Sequence, residues 1–282
     1  MLPDLSLEEL ARRYNNSAAA PGWREELQPR WVSEGQRMAE ISAGLRNVPY
    51  GPGKRQKLDV FLPAGVAPAG GWPTMIFIHG GYWQSLGKDD WSSIAAPFVD
   101  SGMGAVILGY TLCPENTISG IADEIEQAIA HVWLHATALG VDRNRLALAG
   151  HSAGGHLTAW CMTIDWTKHD MPVTPFVSAT AVSGIFDLEP LVPIYLNDAL
   201  NLTNEEALAI SPAYRKRVVD CPFTAVVGGA ELEEFHRQNA LIGEHWPDVI
   251  EQSLPDLNHF TIIDQLTRND TDLFRHVASL LT

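Results

Sequence analysis

The pentapeptide Gly150-His151-Ser152-Ala153-Gly154 constrains this chain more than any other stretch. It follows the apolar run 146–149 (LALA) and precedes a helical stretch that extends from Gly155 to about residue 164. A buried strand that turns at once into a helix forces the residue at the bend into a strained backbone conformation. The residues beside it must therefore be small. The serine hydroxyl then projects above the sheet, and the new helix aims its free N–H groups and positive dipole end at it. A chance Gly-Ser-Gly turn is the alternative, but the strand–turn–helix setting favours a nucleophile.

The remaining pattern supplies the sheet that this bend needs. Residues 45–49 and 58–62 read as a hairpin joined by the turn-rich GPGKRQ. Residues 74–78 (TMIFI), 105–108 (AVIL), 146–149, 179–182 (ATAV) and 223–227 (FTAVV) read as buried strands, with 249–254 as a further candidate. Helical stretches lie between them at 121–139, after Ser152, and from Thr271. This alternation predicts an α/β fold with a mostly parallel, doubly wound sheet, an antiparallel N-terminal hairpin and helical cap elements. Residues 1–44 read as a helical arm that must lie on the main domain, 45–282. Ser6 and Glu9 have capping-box spacing, Leu7, Leu10 and Tyr14 recur at helical intervals, and a second helix over about 29–43 carries Trp31, Met38 and Ile41 on its apolar side. Residues 184–222 break the rhythm and are expected as an insertion over the carboxyl ends of the strands, where such sheets bind ligands.

Two further elements fit the chemistry of a nucleophilic serine. The run His79-Gly80-Gly81-Tyr82-Trp83 follows the strand at 74–78. Acyl transfer needs two or more N–H donors aimed at a developing oxyanion, and glycine lets backbone amides come that close. Gly80, Gly81 and Ala153 are assigned as the oxyanion donors, with Tyr82 a further candidate; a glycine-rich turn with buried aromatics is the bland alternative. A general base is needed as well, and His259 in Leu257-Asn258-His259-Phe260 follows the candidate last strand. His236 is a weaker competitor, and His245 and His276 read as surface groups. For the acid that orients the base, Glu231 follows the strand FTAVV, and Asp187 after the neighbouring strand is the rival. Tyr82, Trp83 and Trp91 suit either a core or an acyl-pocket wall; Tyr82, Trp83 and His151 are taken as substrate contacts. His156 is expected beneath the turn. His131 and His135 have i,i+4 spacing but lack the neighbouring glutamate of HExxH, so no metal is assigned.

Composition excludes some partners. The net charge is −15 and the pI near 5.0, so nucleic acid and anionic membrane repel the surface. Three cysteines with no CxxC pair fit buried, reduced thiols and a reducing compartment. The opening segment MLPDLSLEELARRYNN has no apolar h-region, and no apolar run is long enough to span a bilayer, so a cytoplasmic protein is expected. A homo-oligomer is compatible with the sequence.

At HGGYWQ (79–84), GYTLCPE (109–115), GHSAGGH (150–156), ELEEFHRQ (231–238) and LNHF (257–260) the chain resembles the kynurenine formamidase (arylformamidase) group of HGG-type α/β-hydrolase esterases. The resemblance covers roughly residues 50–265. It implies an α/β-hydrolase fold without a cofactor, with Ser152 as nucleophile, His259 as base, Glu231 as acid where the group usually shows aspartate, and Gly80 and Gly81 in the oxyanion loop. The implied activity is hydrolysis of small carboxylic esters or aryl formamides and amides. Kynurenine formamidase activity proper is one alternative, and a non-catalytic binding protein on the same scaffold is another.

Overall fold

The structure, a computed structural model, describes residues 5–281, so the start of the expected arm at residues 1–4 lies outside the described residues. Eight strands form one sheet: β1 (Val48–Pro49), β2 (Lys57–Phe61), β3 (Trp72–Ile78), β4 (Gly104–Leu108), β5 (Val141–His151), β6 (Ser178–Val182), β7 (Phe223–Gly228) and β8 (Val249–Leu254). Their order is β1-β2-β4-β3-β5-β6-β7-β8. β2 runs antiparallel to β1 and β4, and every other pairing is parallel. The chain is therefore an α/β-hydrolase-type, mostly parallel sheet with an antiparallel start.

The strands read as unbroken apolar runs because both faces of the sheet are covered. Successive side chains point to opposite faces. Ile76, Ile78 and Leu148 accordingly enter one core cluster with the helices Ile118–Leu134 and Ala153–Cys161. Met75, Phe77, Ala147 and Ala149 enter the other, with the helix Asp272–Ser279. Because β4 and β5 flank β3, consecutive connections diverge from β3, and a crevice opens at the carboxyl ends of β3 and β5.

The first 44 residues straddle this crevice. Leu10 and Tyr14 are buried in the first cluster, whereas Trp23, Trp31 and Met38 are buried in the second. The described helices are Leu7–Arg13, capped by Ser6 Oγ, the single turns Asn16–Ala19 and Trp23–Glu26, and Gln28–Ile41. Ile41, expected on the apolar side, is instead half exposed at the last turn. The hairpin is shorter than expected, since only Val48 and Pro49 pair with β2. The helix expected over 121–139 starts at Ile118, where Thr117 Oγ1 caps Gly120 N–H, and breaks at His135. The helix after Ser152 stops at Cys161, three residues short of the expected end, because Thr163 Oγ1 and Trp166 Nε1 take its last carbonyls.

Candidate active site

β5 ends on His151, and Ser152 turns the chain into the helix Ala153–Cys161. Ser152 has φ 57° and ψ −116°, a strained conformation for a residue with a side chain. Its N–H donates to Val182 O at 2.8 Å, which ties the bend to β6. The flanking glycines are required by packing. A Cβ on Gly154 would lie 1.9 Å from Ile78 O, and one on Gly150 would lie 2.2 Å from Gly154 O.

β3 delivers the second loop beside this bend. His79 stacks on Tyr110 with ring centroids 4.1 Å apart, and Tyr110 donates to His79 O at 2.9 Å. Burial lowers the His79 pKa to about 4, so the ring is neutral. A Cβ on Gly80 would lie 2.7 Å from His151 O and 3.1 Å from Ser152 Cβ. Gly80 is thus the spacer that lets the two loops touch, and it does not line the cavity beside Ser152, whereas Gly81 and Tyr82 do. Among the described residues, the N–H groups of Gly80, Gly81, Tyr82 and Ala153 donate to no carbonyl. Tyr82, the further candidate, thus stands with Gly81 at the cavity beside Ser152. Tyr82 and Trp83 have φ values of 49° and 56°. This tight turn drives the Trp83 ring into the core, fully buried and edge-on to His156 at 5.1 Å. Trp83, expected at the substrate, packs beneath the loop instead.

His259 follows β8 and lines the same cavity as Ser152. Its Nδ1–H donates to Glu231 Oε2 at 2.7 Å, which leaves Nε2 as the basic nitrogen of the neutral ring. The Glu231 side chain is fully buried. Ser183 Oγ (2.5 Å) and Gly228 N–H (2.8 Å) donate to its other oxygen and replace the water it has lost. Neither donor stood out in the sequence; Ser183, directly after β6, sits at φ 52°. Asp187, the rival acid, accepts from Arg237 at 3.1 Å and from the Glu189 amide, and bonds to no histidine. No hydrogen bond joins Ser152 Oγ to His259 among the described residues.

His151 also lines the cavity, and its Nε2–H donates to His259 O at 2.9 Å. Burial, and then the neighbouring His259, hold its pKa well below the usual imidazole range. It therefore serves as a neutral donor that braces the backbone of His259. His156 is buried beneath the bend, bonded to Ile210 O at 2.8 Å. His276, expected at the surface, is half-buried against Thr224 Oγ1. His236 lies outside the cavity, and the rings of His131 and His135 stack on one another. The three cysteines are free and buried. No described helix is long and apolar enough to cross a membrane.

The cavity holds about 140 Å³. Its walls are largely aromatic: Trp23, Tyr82, Trp91, Tyr195 and Phe260. Trp23 stacks flat on Phe260 with centroids 4.0 Å apart. Tyr14, Asn15, Asn16, Ser17, Trp23 and Arg24 bring the arm to the cavity, whereas residues 184–222 bring Tyr195.

Residues 58–206 match the BD-FAE family. The chain is 33% identical to a kynurenine formamidase of Danio rerio, over 82% of its own length and 80% of the relative's. It is 32% identical to that of Salmo salar, over 87% and 85%. The chain belongs to the arylformamidase-like α/β hydrolases. This hydrolase also superimposes on a provisionally named thioesterase from Silicibacter sp. TM1040, with a TM-score of 0.82 and 32% identity over 97% of one chain and 98% of the other. Esterase B of Lactobacillus rhamnosis shares the fold at a TM-score of 0.70 and 17% identity, over 94% and 96%.

Proposed function

We propose that this enzyme cleaves small carboxylic esters or aryl formamides through an acyl-enzyme on Ser152. The observation that carries the reading is the shared cavity. It is lined by Ser152, by His259 with Glu231 behind it, and by Gly81 and Tyr82, whose amides have no other partner. Ser152 Oγ attacks the carbonyl carbon while His259 Nε2 takes its proton, and the former carbonyl oxygen collects negative charge. The amides of Gly81, Tyr82 and Ala153 receive that charge. Collapse expels the alcohol or amine, which leaves with the proton from His259. Water then repeats the cycle on the acyl- or formyl-serine and frees the acid. Glu231 keeps the proton on Nδ1 and stabilises the imidazolium.

The aromatic walls suit a planar aryl group. The kynurenine formamidases of Danio rerio and Salmo salar favour a formamide as one such substrate. The test is Ser152→Ala. Turnover of p-nitrophenyl acetate should fall by about 10⁴-fold or more with the thermal midpoint unchanged, and unchanged turnover removes the reading. Rates on N-formylkynurenine and on short p-nitrophenyl esters then rank the two substrate types.

A further inference from the structure

We infer that the N-terminal arm is a working part of the oxyanion site: Asn16 and the Tyr14 carbonyl grip the Tyr82 hydroxyl and so hold the Tyr82 amide in its donating position. The inference rests on the acyl-transfer reading above, and it concerns how one donor is kept in place.

The loop's own bonds fall on the carbonyls of Gly80 and Gly81, which accept from His79 Nδ1, from the Gln84 and Ser85 amides and from Ser85 Oγ. Its donor amides are uncommitted, as an oxyanion site requires, so they contribute nothing to the loop's own rigidity. Tyr82 and Trp83 both sit in the left-handed region, which residues with side chains rarely adopt and keep only when their surroundings impose it. Trp83 is imposed by the core: its ring is fully buried and its carbonyl accepts from Cys113 N–H at 2.8 Å. The Tyr82 ring only partly packs on the first core cluster. It is held from above, by the far end of its side chain. Its hydroxyl donates to Tyr14 O at 2.6 Å and accepts from Asn16 Nδ2 at 3.2 Å. The phenol thus has both a donor and an acceptor partner, and both belong to the arm.

The arm is fixed in turn. The Tyr14 hydroxyl donates to Glu234 Oε1 at 2.8 Å and accepts from Gln238 Nε2 at 3.2 Å. Arg237 pairs with the same Glu234 oxygen at 2.6 Å. These residues lie on the helix Glu233–His245, whose Phe235 packs on the His259 ring with centroids 4.5 Å apart. One helix therefore carries the arm's anchor and abuts the base. An amide displaced by a fraction of an ångström loses most of its value to an oxyanion, since donation is steep in distance and angle.

A Tyr82 that merely walled the cavity would affect KM. A positioning hydroxyl affects kcat, so the two roles separate kinetically. Tyr82→Phe keeps the ring and the amide and removes only the grip. With p-nitrophenyl acetate we expect kcat to fall about tenfold while KM stays within about twofold. Inactivation by a fluorophosphonate, whose anionic adduct uses the same donors, should slow in parallel. Asn16→Ala loosens the grip from the arm side without touching the oxyanion loop, and should lower kcat in the same direction but less. The double variant should be no slower than Tyr82→Phe alone, because both changes remove one interaction. Unchanged kcat in both single variants, a change in KM only, or effects that multiply in the double variant would overturn the inference. Should Tyr82→Phe fail to fold, Asn16→Ala alone decides between lowered and unchanged kcat. Loss of the acyl-transfer reading itself would appear elsewhere, as turnover surviving in Ser152→Ala.

Discussion

Residues 14–24 and residues 150–156 line or underlie one cavity, yet they are built by different means. The bend at Ser152 is a matter of backbone. Strand, turn and helix approach so closely that Gly150 and Gly154 have no room for a Cβ, and Gly80 from the next strand fits against the same bend. The arm is a matter of side chains. It is made of short helical turns, held by the Tyr14–Glu234 bond, the Asn16–Tyr82 bond and the Trp23–Phe260 stack. Backbone contacts of the first kind admit almost no substitution, whereas side-chain contacts of the second kind can be exchanged piece by piece. The family match over residues 58–206 includes the bend and leaves the arm outside.

Several variants would break or sharpen this contrast. The largest effect belongs to the acid behind the base. Glu231→Gln should lower kcat by about 10³–10⁴-fold through loss of the correct tautomer and of the imidazolium's partner. Asp187→Asn should leave kcat within about threefold and cost about 1 kcal/mol of stability through its bond to Arg237. Parallel kinetics on the two variants check this, and a reversal would move the acid to Asp187. Next is Gly154→Ala, whose Cβ meets Ile78 O. It should cost about 3 kcal/mol or more in a urea titration, and a neutral result would contradict the backbone account of the bend. On the arm, Trp23→Ala should raise KM for aryl esters about tenfold with a much smaller change in kcat, since it removes a stacked wall. A kcat effect as large as that of Glu231→Gln would erase the distinction between the regions.

A separate effect, on stability and not on turnover, is pH dependence. Burial holds His79 and His156 at about 4 and His151 well below the usual imidazole value. Between pH 6.5 and about 4 the unfolded chain binds protons that the folded chain refuses. Stability is therefore fully present above that window and is lost as pH falls through it, by up to about 1.4 kcal/mol per pH unit for each such histidine. Urea midpoints at several pH values measure the slope, and His156→Gln should reduce it.

The same division governs what could be read from the sequence. Strands β3, β4, β6 and β7 were legible because burial on both faces leaves unbroken apolar runs, and the bend was legible because its glycines are obligatory. Chain order and the resemblance at ELEEFHRQ and LNHF pointed to His259 and Glu231, and the structure brings them within 2.7 Å. The Gly-Gly pair at 80–81 signalled close approach, and a Cβ on Gly80 would indeed meet His151 O at 2.7 Å. Trp83 was misplaced because positive φ at two successive residues inverts the alternation that would have turned its ring toward substrate. Nothing in the sequence signalled the contacts made by Ser183, Tyr14 and Asn16, although Tyr14 fell on the arm's apolar repeat. Their roles come from contacts across 48, 220 and 66 residues of chain, which local pattern does not encode.

The central claim is that Ser152 carries the acyl group during turnover. Rapid quenching of the enzyme with p-nitrophenyl acetate, followed by intact and peptide mass measurement, tests it most directly. One acetyl group per chain on the peptide that contains Ser152, absent in Ser152→Ala, is the predicted result. Turnover with no adduct, or an adduct on another residue that persists in Ser152→Ala, would contradict it.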